Sequence, residues 1–456
     1  MGQYASIIGK IYQNALVLLE KKGLLVENEA VLKKLDTVEG IRLEDGRVRF
    51  TEGYSDAFFR RYQAGHEVVR PTEFTAACLG HANHIVDWED RVRPITEADN
   101  GEMARLIDAL AGDGIRGSAP GIPQDVPLPL QGISQFVSGA KNSRGCPLWS
   151  GYKSLGTDLL MKECMDILGL ENALGAHLIS PLKMTGNEVD CTFGMAQRFP
   201  ELPVSVGDMP IIGLSTPASI VSGFTVAVAE VLGGGMVFDV LGTKDLHMSV
   251  NLYPFDMKYM SFIYGTPANI AINRLEIEIN ETIFRTQIVS KCLRTMSQLP
   301  NQQAAAQKAA FAGIMAEYGK RNFTGAGSLS MDEVFSPVQL MADREILDGL
   351  RKVYEIGETV FDEEHLLLDV ILENSDGDFL SEDSTLELYR DNQWNSRLFP
   401  SYQLQQWISA GKPEFAQSAK ELARKLIREN PFELDRDKAR ALDEVYAWAK
   451  AHMDQL

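Results

Sequence analysis

Two histidines stand three residues apart in His81-Ala-Asn-His84, and Asp87 follows a turn later. On a helix the two imidazoles and the carboxylate would share a face, a spacing able to hold a divalent metal and so to support a metal-dependent lyase. The plainer reading is three polar positions on a partly exposed helix, and no metal site is assigned. His365 in DEEHLLLDVI reads as a helix-surface residue. The sequence has no GxxxxGK[ST], HExxH or GxSxG, so no phosphate cradle, zincin site or nucleophile elbow is expected. Cys78, Cys146, Cys164, Cys191 and Cys292 are odd in number and form no CxxC. Neither a disulfide framework nor a cysteine-rich zinc site is expected.

Glycine-rich segments carry more information. Gly213-Leu214-Ser215-Thr216-Pro217 follows the apolar run MPII and precedes a helical pattern. Small residues there let a ligand approach the backbone, and a helix N-terminus offers unpaired N–H groups. Asn322-Phe323-Thr324-Gly325-Ala326-Gly327-Ser328 is a second such segment, and Ala119 to Pro127 a third. Each alone reads as a turn; three at strand carboxyl ends suit a ligand mouth. Trp88, Trp149, Tyr152, Phe193 and Phe323 lie near these ends, with Phe323 read as core. Aromatic faces plus a carboxylate such as Asp125 would suit a cationic ligand.

These residues need a scaffold, and residues 70–375 alternate short apolar runs with helical patterns. The runs are 114–122, 177–182, 209–217, 236–242, 269–276 and 322–330; the helical segments are 99–112, 153–169, 217–233, 278–298, 302–319 and 337–356. Such alternation predicts βα units and, at roughly 300 residues, an α/β fold of the (β/α)8 TIM barrel type. No GxGxxG follows an early strand, which weakens a doubly wound sheet. Residues 1–68 read as an N-terminal extension, helical over the first 35 residues and then a hairpin turning at Asp45-Gly46. Residues 69–398 form the barrel, and 399–456 a helical cap.

Lys+Arg is 44 and Asp+Glu 63, a formal charge of -19 over 456 residues. Such a surface repels phosphate backbones and anionic lipid, so neither nucleic acid nor membrane is an expected partner. The N-terminal residues lack a signal-peptide apolar run, and no uninterrupted apolar stretch of about 18 residues occurs. The expected compartment is the cytoplasm, and a homo-oligomer is expected.

Four segments, in order, resemble the trimethylamine methyltransferase superfamily of corrinoid-dependent methyltransferases. PQDVPLPL (123–130) is similar to its Asp-Val-Pro segment. IIGLSTPASIVSGFTVAVAEVLGG (211–234) is similar to its Gly-x-x-x-Pro helix with an Ala-Glu near the end. RNFTGAGSLSMDEVFSPVQLMADREIL (321–347) is similar to its Gly-x-Leu strand and following helix, and FLSEDSTLELYRDNQW (379–394) to its Phe-Leu-x-x-x-x-Thr segment. The family's Gly-rich stretch and its His before the Thr are replaced here by Asn374 to Asp378 and by Asp383-Ser384.

The resemblance implies a barrel that moves a methyl group from an N-methylated amine to the cobalt(I) of a corrinoid on a separate partner protein. It also narrows the amine. The trimethylamine enzyme uses pyrrolysine, whose imine adds to an amine lone pair; this chain has none, and a quaternary nitrogen has no lone pair to add. The chain is thus similar to the glycine betaine methyltransferase branch. A quaternary amine, a betaine above all, is the expected substrate, in an aromatic box with few full carboxylate contacts. Trp88, Asp125, Trp149, Tyr152, Phe193, Ser215, Arg274 and Asn322 are its candidate binders, with Gly213, Gly325 and Gly327 toward the corrinoid. Arg274, Arg321 or the N–H groups of Gly213–Ser215 would take the betaine carboxylate. A non-catalytic betaine-binding or corrinoid-partner protein is the alternative.

Overall fold

The computed structural model describes residues 4–150, 153–171, 173–359, 361 and 363–456. Its strands are short, each ended by a glycine, proline or polar turn. Thr75–Ala77 lies between Ile115–Arg116 and Asn322–Thr324, parallel to both, and Ser290 bridges in parallel to Phe323. Val204–Asp208 lies between Leu174–Leu178 and Leu246–Met248, again parallel. The segment 145–150, which forms no strand ladder, occupies the third position, with Gly145 against Gly117 and Leu148 against Gly80. A helix follows each strand position in turn: Glu97–Ala109, Gln131–Asn142, Leu155–Leu168, Asn187–Arg198, Ile220–Leu241, Pro267–Ile279, Gln302–Glu317 and Pro337–Thr359. Parallel strands need such crossovers, and the order is that of a (β/α)8 barrel.

The helix Ile220–Leu241 is buried on nearly every side, between the N-terminal helix Ala5–Lys21 and the strands Val204–Asp208 and Leu246–Met248. It is apolar and long enough to cross a membrane by composition, although polar and glycine residues break the run. Its glycines make the burial possible. A Cβ on Gly234 would lie 2.9 Å from both Leu178 Cδ1 and Val206 Cγ1. Gly234→Val is expected to cost about 2–3 kcal/mol through overpacking, read as a lower urea midpoint at unchanged slope.

Several sequence expectations change here. Residues 236–242 are the end of this helix, not a strand; a helix buried all round has no polar face to reveal its period. Residues 269–276 lie inside the helix Pro267–Ile279, where Asn273 and Glu276 are buried among the apolar positions. The strand expected at 209–217 ends earlier, at Asp208, and a turn occupies the segment instead. The helix expected over 278–298 stops in a π turn at Asn280–Phe284. The strand Leu24–Val26 divides the expected N-terminal helix and runs parallel to Lys183–Met184. The hairpin Ile41–Glu44/Arg47–Phe50 does turn at Asp45-Gly46, both at positive φ. Near the C-terminus, Phe415–Glu429 packs on Glu97–Ala109 and Pro337–Thr359, and Arg436–Ala451 on Gln131–Asn142 and Leu155–Leu168.

Candidate active site

Strands from both parallel sets end at one cavity of about 680 Å³. Ala77, His177, Asp208 and Thr324 reach it from strand ends, and Phe262 and Tyr264 from the hairpin Phe255–Asp256/Ser261–Phe262 and its continuation. In a barrel this carboxyl face is where ligands meet loops that vary without disturbing the core.

Three aromatic rings form one wall. Phe262 stands edge-on to Tyr253 and Tyr264, with centroids 5.5 and 5.6 Å away. Lys291 Nζ lies 4.5 Å from the Tyr253 centroid, and the Arg294 guanidinium 4.8 Å from that of Tyr264. Both cations have acidic partners: Lys291 donates to Glu276 Oε1 at 2.9 Å, and Arg294 Nε lies 3.2 Å from Asp332 Oδ2. Arg294 also donates to the Tyr264 hydroxyl. Burial raises the Glu276 carboxyl, with Lys291 opposing.

Asp208 is fully buried beneath this wall. Its Oδ1 accepts from Asn251 N–H at 2.8 Å, and its Oδ2 makes no hydrogen bond. Burial and the nearby Glu230 carboxylate push its pKa well up. Burial also raises Glu230, from the ordinary 4.5 to about 7, against hydrogen bonds donated by Ser180 and the Leu182 N–H. Glu230 therefore binds a proton in the folded chain that it lacks when unfolded, between these two values. Its contribution is complete below about 4.5 and is lost as pH rises toward 7, with a limiting slope of about 1.4 kcal/mol per pH unit. Urea unfolding of the wild type should lose stability over that window, and Glu230→Gln should flatten the loss.

The expected binding residues distribute differently. Phe193 is core, packed on Phe238 with centroids 5.3 Å apart. Trp88 Nε1 donates to Glu102, and Arg424 of the C-terminal helix covers its ring. Asp125 accepts from Glu97 N–H at 2.9 Å at the start of a barrel helix. Trp149 is half-buried beside the cluster under the C-terminal helix, with Lys153 over its ring. Tyr152 lies outside the described residues. Arg274 stacks on Tyr318 at 3.9 Å, and Arg321 on Phe74 and Tyr354 at the amino-terminal end of its strand. Asn322 begins that strand, also at the end opposite the mouth. Ser215 Oγ accepts from Ile211 N–H and Gly213 N–H bonds Thr216 O, so both close a turn, with Gly213 beside Met257.

Gly325 and Gly327 serve the backbone. A Cβ on Gly325 would lie 2.6 Å from Leu293 O, and one on Gly327 2.3 Å from Phe335. Phe323 is core, as expected. The cavity residues Asp208, Tyr253, Phe262, Tyr264, Lys291, Arg294 and Asp332 were missed. The available signals were an aspartate closing the strand VSVGD and the aromatic density of NLYPFDMKYMSFIY.

The histidine–aspartate spacing is not a metal site here. The Asp87 carboxylate accepts from the N–H groups of Glu89 and Arg91 and from the Arg91 and Arg93 side chains. His81 instead lines the cavity, with Nδ1 2.9 Å from Ser150 Oγ. Among the described residues one group could hold an ion by proximity: His66, Asp245 and His247. Both His66 nitrogens already face carbonyl oxygens, of Tyr62 and Leu246, at 2.7 and 2.9 Å.

The trimethylamine methyltransferase (MTTB) family profile matches residues 175–454. The chain belongs to this family. Trimethylamine methyltransferase MttB of Desulfitobacterium hafniense is 26% identical over 225 residues, covering 49% of this chain and 44% of that protein. The chain thus spans less than half of that relative's length. Two solved structures are similar at lower identity. Monomethylamine methyltransferase MtmB of Methanosarcina barkeri has a TM-score of 0.46 at 13% identity, over 95% of this chain and 89% of that one. A hydroxylamine complex of MtmB has a TM-score of 0.45 at 15% identity, over 95% and 96%. Family membership gives Ala229-Glu230 a place: the glutamate of the resembling segment is the one behind Asp208.

Proposed function

We propose that this chain takes a methyl group from a quaternary amine, a betaine above all, and passes it to the cobalt(I) of a corrinoid on a separate protein. The observation that carries the reading is the composition of the strand-end cavity in a family member without pyrrolysine. An aromatic wall of Tyr253, Phe262 and Tyr264 stands beside Arg294 and Lys291. The rings suit the methyl groups of a cation, and the two bases suit a carboxylate.

The chemistry asks little acid–base work of the protein. The N–CH₃ bond breaks with its electron pair staying on nitrogen, so a neutral tertiary amine leaves without a proton. The corrinoid's cobalt(I) supplies the electron pair for the new bond to carbon. The chain's own residues hold the amine in line and keep water out. Asp208, with burial favouring its neutral form, adds little pull on the cation. That matters because positive charge leaves nitrogen in the transition state, and a tight ground-state grip would slow transfer.

The opening fits a carrier protein. Met257, Tyr259 and Met260 on the hairpin are exposed, as is Leu214 next to Gly213. A cytoplasmic homo-oligomer is part of the same proposal.

The test is to incubate the chain with a reduced corrinoid protein and a panel of amines, following demethylated product by NMR. Glycine betaine or another betaine should lose one methyl group, while trimethylamine should not. If no quaternary amine is demethylated while the corrinoid stays reduced, the reading fails.

A further inference from the structure

Ser330, Met331 and Asp332 have φ values of 47, 58 and 73°. Glu333 N–H closes them onto Ser330 O at 3.0 Å. L-residues enter the left-handed region singly, so a run of three must be held from outside. Ser330 N–H donates to Ser297 O at 2.7 Å and Met331 N–H to Thr295 O at 3.0 Å. Ser297 N–H is itself tied to Thr295 Oγ1, and that hydroxyl to Gln307. Strain held this firmly clusters at functional sites.

The turn delivers two side chains to the cavity wall. Met331 Sδ accepts from Ser261 Oγ at 3.3 Å, beside Phe262. Asp332 reaches Arg294 with Oδ2, while its Oδ1 is buried and has no hydrogen-bond partner. Half of a carboxylate is thus left uncompensated among the aromatic rings. Asp208 and Glu276 are poorer sources of negative charge, because burial favours their neutral forms.

We propose that Asp332 is the residue by which the cavity selects a positively charged nitrogen, the substrate lying antiparallel to the Asp332–Arg294 ion pair with its own carboxylate on Arg294. This rests on the quaternary-amine reading and names the residue that enforces it. Arg294 shares the Asp332 charge, so the hold on the cation is moderate, as transfer requires.

Calorimetry on the full chain tests it, with glycine betaine and 3,3-dimethylbutanoate, which has the same shape with carbon in place of nitrogen. The wild type should prefer glycine betaine. Asp332→Asn, tolerated in a left-handed turn, should lose about tenfold of that preference, about 1.4 kcal/mol. It should do so by weakening betaine alone, with a raised KM and an undiminished kcat. A merely structural role would weaken both ligands equally. Met331→Gly, which relaxes the turn while keeping the carboxylate, should keep the fold and lose part of the preference. If both variants keep the wild-type preference, the assignment to Asp332 is overturned while the quaternary-amine reading stands. If the wild type binds neither ligand, both fall.

Discussion

Arg294→Met should reduce kcat/KM for glycine betaine by about 100-fold, about 2.7 kcal/mol. Arg294 contacts three parts of the site: its guanidinium lies over Tyr264, donates to that hydroxyl and pairs with Asp332. Methionine keeps much of the packing volume but removes the donors for a substrate carboxylate. It also leaves Asp332 as a poorly compensated charge in a buried place, a loss that typically costs 2–5 kcal/mol at a recognition site. A substrate with no carboxylate, such as choline, should lose much less. Steady-state kinetics on both amines checks this; an equal loss on both would mean that Arg294 supports the wall without reading the carboxylate.

The largest effect on stability is expected from Lys308→Met. Lys308 and Asp343 are both fully buried, 2.7 Å apart. Lys308 also donates to Gly325 O at 3.1 Å, while Asp343 accepts from Gly327 N–H and from Gln339, each at 2.8 Å. The pair therefore holds the chain just after the strand Asn322–Thr324, at positive-φ glycines leading into the left-handed turn. Removing one partner of a buried pair strands the other, typically costing about 3–5 kcal/mol. Urea unfolding should show that loss for Lys308→Met. The double variant Lys308→Met/Asp343→Asn should recover part of it, because no lone charge remains. A loss below about 1 kcal/mol would show that Asp343 is readily neutralised or hydrated there.

The scaffold was more legible than the site. An amphipathic helix such as Pro337–Thr359 announces itself by one apolar face, and the spacing of helical patterns by short apolar runs predicts the barrel. Ile220–Leu241 hides its period because it is buried all round, so its second half reads as a strand. Once 209–217 is taken as a strand, the true strand Val204–Asp208 and the carboxylate that ends it drop out of view. Arg274 and Arg321 look available in sequence as isolated cations, yet each lies on an aromatic face and neither lines the cavity. Arg294 and Asp332 are 38 residues apart with no motif between them; the parallel pairing of Ser290 with Phe323, whose strand ends both residues follow, brings them together. The Ala-Glu of the family segment was visible, but its acid-pair partner Asp208 belongs to another element.

The most direct test of the central claim is a crystal structure of the chain with glycine betaine bound. The account predicts the trimethylammonium group between Phe262 and Asp332 with a methyl carbon turned toward the opening, and the carboxylate on Arg294. Betaine bound at any other place, or reversed with its carboxylate away from Arg294, would contradict it.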